Sequence, residues 1–189
     1  MATPLRFRVL LTLAAVTAIG CASTFMSPAQ AALTGDTTTT FTLTGGLLSI
    51  TTPASKALGS VATGATATAS VQLGSVAVGD ARGGLLATWT TSVSSTDFTT
   101  GAATANETIA KANADYWSGA ATSTTGTGVF TPGQLLVANK VTLASSRSAF
   151  VGTVLVGNNT AAWNPTVSVN IPSASVAGDY TGTITHSVA

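Results

Sequence analysis

What this chain has least of is charge: Asp, Glu, Lys and Arg make up 7% of its 189 residues. So few ionic groups build no field able to hold a polyanion, which excludes nucleic acid and anionic lipid surfaces as partners. Cysteine is nearly absent too. The single Cys21 stands near the N-terminus, so a disulfide framework is excluded. The chain has one histidine, His186, and neither a Gly-x-Ser-x-Gly elbow nor a His-Glu-x-x-His pair. One histidine with scattered carboxylates does not make a zinc site. The six acids, Asp36, Asp80, Asp97, Glu107, Asp115 and Asp179, read as caps and turn residues rather than as a glycosidase pair or a calcium loop. A triad of serine, His186 and an aspartate is arithmetically open. However, His186 falls on the apolar face of the last strand, where it reads as a packing residue. No catalytic residue, metal ligand or cofactor is expected.

Long apolar runs are equally scarce. Val9 to Gly20 is the one stretch of note, preceded by Arg6 and Arg8 and too short to span a bilayer. With the small residues of Ala29-Gln30-Ala31 it reads as a helical secretion signal over residues 1–31, cleaved after Ala31. A retained anchor is the second reading, opposed by the polar continuation CASTFMSPAQ. Lipid attachment at Cys21 is the third, through the poor lipobox Ala18-Ile19-Gly20-Cys21. The expected product is secreted, extracellular or wall-associated, without membrane contact once the signal is removed. Residues 32–189 form one expected domain, large enough to bury roughly 70% of its unfolded surface without staples.

What the chain has in abundance is threonine, serine, glycine and alanine, interleaved with valine, leucine and isoleucine. Disordered chains are poor in β-branched residues, and this one is not. Apolar residues recur at every second position over Phe41–Leu43, Leu47–Ile50, Ala67–Leu73, Leu85–Val93, Lys140–Leu143, Phe150–Val156, Trp163–Ile171 and Tyr180–Val188. Pro165 confines its surroundings to an edge or a strand start. The pattern predicts an all-β fold, an antiparallel β-sandwich of roughly 8–10 short strands. Asn106–Tyr116 reads as a short helix or irregular loop, and Thr122–Gly128 as a mobile loop. Trp89 and Trp163 are in phase with the apolar faces of their strands and belong in a core. Tyr116 and Trp117 are the candidate exposed aromatics. The chain is expected to end inside its own sheet.

That ending carries a family resemblance. Tyr180, Ile184, Thr185, His186 and Val188 follow the spacing Tyr-x-x-x-Ile-Thr-His-x-Val. This resembles the distal motif of the WxL domain of Gram-positive surface proteins, Tyr-x-x-x-Leu-Thr-Trp-x-Leu, with His186 standing where the family has tryptophan. Ile171-Pro172 and Ala177-Gly178-Asp179 are similar to the turn that introduces this strand. The proximal Trp-x-Leu motif is met by Trp89, with Thr91 at the leucine position, followed by Val93 and Asp97-Phe98-Thr99. The resemblance implies a β-rich module that binds peptidoglycan non-covalently through its C-terminal region. It implies Trp89, Tyr180, Ile184, Thr185, His186 and Val188 as the binding residues. The expected partners are cell-wall glycan or other surface proteins. The alternative is a structural adhesin or filament subunit that pairs strands, with Thr37–Thr40 and Phe41-Thr-Leu43 as a donated strand.

Overall fold

Alternation at period two is realised as strands wherever the chain finds a partner backbone. The computed structural model describes residues 35–63 and 68–189. The predicted signal, Cys21 and Ala67 lie outside those residues. The chain divides into two units, Met1–Phe41 and Thr42–Ala189. In the first, the described residues Gly35–Phe41 have no regular secondary structure and are exposed. The second is all-β, with antiparallel sheets.

The larger sheet is organised by β10 (Arg147–Trp163), a strand of 17 residues. The first half of β10 pairs along one edge with β4 (Leu85–Ser95), and its last residues pair with β3 (Val76–Asp80). Its opposite edge pairs with β8 (Ala121–Pro132). β1 (Leu48–Thr51) then adds to β3, and β12 (Ile184–Val188) adds to β4. The second sheet runs β2 (Thr68–Gln72), β11 (Thr166–Asn170), β7 (Ala114–Trp117) and β9 (Val141–Thr142). A short ribbon of β5 (Phe98–Thr99) and β6 (Thr108–Ile109) completes the set.

Three local expectations need correction. The described residues hold twelve strands rather than eight to ten, because several two-residue pairings extend the count. Asn106–Tyr116 contains no α-helix. It is two single 3-10 turns, Ala105–Glu107 and Lys111–Asn113, separated by β6 and followed by β7. The first turn is closed by the Glu107 carboxylate, which accepts from the Thr104 hydroxyl at 2.7 Å and from its amide at 3.0 Å. Thr122–Gly128 is not a loop but most of β8, held by its ladder to β10. Its composition carries no burial signal because nearly every position is exposed. Conversely, Phe41–Leu43 alternates as a strand should and has no strand partner among the described residues. Alternation permits a strand, but only a neighbouring ladder makes one.

Two buried clusters occupy the interior. One joins Val76 and Val78 of β3, Trp89 of β4, and Phe150, Leu155, Ala161 and Trp163 of β10. Phe150 and Trp163 stack with centroids 4.8 Å apart, and the Trp89 indole donates to Asn159 Oδ1 at 3.3 Å. Gly152 is required here, since a Cβ would stand 2.5 Å from the Trp89 ring. The other cluster draws from both sheets: Val93 and Ala149 from the first, Ala114, Tyr116, Val167 and Val169 from the second, with Phe98, Ile109 and Leu143. At the turn between β3 and β4, buried Asp80 receives Arg82 Nε and Nη2, each at 2.9 Å. That bidentate pairing holds the Asp80 carboxyl below the usual carboxylate range.

Candidate functional site

The residues of β12 alternate between half-buried and exposed, and this places His186 on the interior side of the larger sheet. Its register against β4 is set by the pairs Ile184↔Ser95, His186↔Val93 and Val188↔Thr91. From there His186 Nε2 lies 3.1 Å from the Tyr116 hydroxyl on the facing sheet. The Trp163 indole donates to the same hydroxyl at 3.3 Å. An indole N–H can only donate, so it occupies the acceptor side of the phenol. The Tyr116 proton is then directed at His186 Nε2, which leaves the imidazole neutral with its own proton on Nδ1. Burial supports the same state: it lowers the His186 pKa to about 4 and raises that of the phenol.

This chain of three rings fixes the orientation of the imidazole between the two sheets. Its histidine is neutral over the physiological range, and among the described residues Tyr116 is its one side-chain hydrogen-bond partner. A base needs a proton to take and an acid to return it. No group of three His, Cys, Asp or Glu side chains among the described residues is placed to hold a metal ion.

Beside the rings the interior opens into a cleft of about 770 Å3. Its floor is formed by Leu73, Phe98, Ile109, Val167, Ile171 and Ile184, with His186 at one side. Two segments make the rim. Thr52–Thr63 has almost no regular structure and inserts only Leu58 towards the core. Ser175–Thr183 is tied down at a few points: Thr181 exchanges backbone hydrogen bonds with Thr99, and the Tyr180 hydroxyl stands 3.1 Å from the Asn106 carbonyl and 3.0 Å from that of Val176. Gly182 permits this approach, because a Cβ there would lie 2.6 Å from the Phe98 ring. The rim is rich in hydroxyls, with Lys56 and Asp179 as its two charged groups.

The residues singled out from the sequence separate into three places. Tyr180, Ile184 and His186 line the cleft. Thr185 is exposed on the outer face of β12, and Val188 packs against the aromatic cluster. Trp89 shares β4 with the partner residues of β12, but its ring is 1% exposed and stacks on Phe130 and Phe150. Tyr116 corrects the expectation of an exposed aromatic. It is 0% exposed, because its neighbours in β7 alternate against β11 and its ring faces the other sheet. Trp117, on the opposite face, is half-buried. Sequence reasoning missed the link between Tyr116 and His186, which are seventy positions apart. The one signal for it was the histidine on an otherwise apolar face.

The chain was compared with protein-family models, with curated proteins and with solved structures, and it matches none of them.

Proposed function

We propose that this is a secreted, non-enzymatic surface domain, a divergent WxL-like β-sandwich, that associates with the cell wall non-covalently through the cleft beside β12. The observation that carries this reading is the cleft itself: an apolar floor under a hydroxyl-rich rim, next to the strand whose spacing resembles the wall-binding motif. Sugars present exactly two kinds of surface, C–H faces and hydroxyl edges, and such a cleft offers a match to both. The scarcity of charge predicts binding that salt weakens little. The test is co-sedimentation of the mature protein with purified wall at low and high salt. Retention in the pellet under both conditions is the expected result, and recovery in the supernatant under both defeats the proposal. Ser60→Trp and Thr183→Trp on the exposed rim should reduce retention without altering the melting temperature.

A second reading is that of an adhesin or filament subunit working through strand pairing with other proteins. It is favoured by β8, whose ladder is filled by β10 on one edge only among the described residues. Sedimentation velocity separates the two readings, since the second requires self-association or a protein partner.

A further inference from the structure

Among the described residues, two stretches of this protein have backbone with an unfilled edge. The first is β8, which pairs there with β10 alone. Natural edge strands are blunted by charges, prolines or bulges. β8 has no charged residue, and its one proline, Pro132, stands at its end. Its interruptions are Gly126 and Gly128, with φ of 81° and 158°, and a register shift between Ala121 and Ser123, which leave Ser123–Thr125 and Val129–Pro132 as regular stretches. The second is the chain before β1, where Thr37–Thr44 has no regular structure and is exposed. Its Phe41 and Leu43 are 91% and 89% exposed. Two residues apart, they would share one face of any strand they joined.

Beside β8 lies a patch with the chemistry to meet them. Phe130 packs inward against the aromatic cluster, so its neighbour Val129 points outward. Val129 is 55% exposed; Val154 of β10, one strand further in, is 53% exposed, and Leu86 of β4, a strand beyond that, is 64% exposed. Val154 and Leu86 are held at positive φ, 53° and 56°, where the β10–β4 ladder slips register. A leucine and a β-branched valine rarely adopt that conformation, and strained backbone of this kind collects at working surfaces. Here the strain turns two aliphatic side chains to solvent.

We propose that residues 37–43 of one copy add as an edge strand to β8 of a second copy, with Phe41 and Leu43 placed to cover Val129. This rests on the strand-pairing reading above and names its donor and its acceptor. β1 and β8 lie on opposite sides of β10, so donor and acceptor are different surfaces and the contact is head-to-tail. Contacts of that type repeat into rings or open filaments. Neither partner stretch carries a charge between residues 37 and 43 or along β8, so no repulsion opposes the pairing.

The experiment is sedimentation velocity and negative-stain imaging of the secreted chain over a concentration series, beside a Phe41→Lys, Leu43→Lys double variant. The wild type is expected to self-associate. The variant is expected to do so at least about tenfold more weakly, with an unchanged melting temperature because both side chains are exposed. Mixed Leu43→Cys and Val129→Cys copies should form a disulfide between copies that neither forms alone. A wild type that stays monomeric throughout overturns this inference and leaves the strand-pairing reading only with a different protein as partner. Assemblies that persist unchanged in the double variant overturn the donor named here and leave edge pairing standing.

Discussion

The two ends of the interior are built from the same kinds of residue and differ in how they are closed. Around Trp89, Phe150 and Trp163 the rings stack on one another, the Trp89 indole is bonded to Asn159, and a glycine at 152 makes room for the indole. Around Phe98, Ile109 and Val167 the floor is equally apolar, yet its cover consists of half-buried Leu58 and Tyr180 on segments with little ladder of their own. The first end is closed by strands, and the second by loops. A surface held by loops over a rigid floor is where binding residues collect, because the scaffold carries the stability and the loops are free to vary.

The largest expected effect that tests this contrast is at the closed end. Trp163→Ala removes a 0% exposed ring that stacks on Phe150 and donates to Tyr116. It should cost about 3–5 kcal/mol in urea denaturation, the usual range for a large core aromatic. A loss below 1 kcal/mol, on the order of a surface change, would mean that the closed end does not hold the fold.

The second effect falls on the boundary between the two ends, at His186. Its pKa in the folded protein is about 4, below the 6.5 of a free imidazole. The unfolded chain therefore takes up a proton first as pH falls, so stability is full above about pH 6.5 and declines towards pH 4. The loss is on the order of 2–3 kcal/mol at pH 4. His186→Phe should flatten this decline, measured as the difference between variant and wild type across that window. Asp80 loses stability at acid pH in both proteins, so the difference isolates the histidine. Parallel curves would show that His186 is solvated rather than buried.

The smallest effect is at the open end. Leu58→Ala trims a half-buried side chain from the cleft rim. It should cost about 1 kcal/mol or less, while changing retention on wall more than Trp163→Ala does at temperatures where both are folded. Equal cost at the two ends would erase the distinction.

Much of the architecture was legible along the chain. The exposed and half-buried residues of β12 alternate as the spacing of Tyr180 to Val188 predicts, and Pro165 sits at the step between β10 and β11. The placement of Trp89 and Trp163 in a core was readable from their phase. The candidate site was less so. Ile184 and His186 were in view, but the cleft they line is made by Thr52–Thr63, which has no periodicity to read.

What the amino-acid order determined by itself is the alternation, and with it which side chains of a strand share a face, because that follows from backbone geometry between neighbours. It also determined that the polar positions are filled mainly by hydroxyls rather than charges. Tertiary structure alone decided which alternating segments became strands: Thr122–Gly128 found β10 and is paired, whereas Phe41–Leu43 has no partner among the described residues. It also decided which way Tyr116 faces, and so whether the single histidine meets water or a phenol. Those outcomes depend on backbone and surface supplied from distant parts of the chain, and no local period encodes a neighbour that far away.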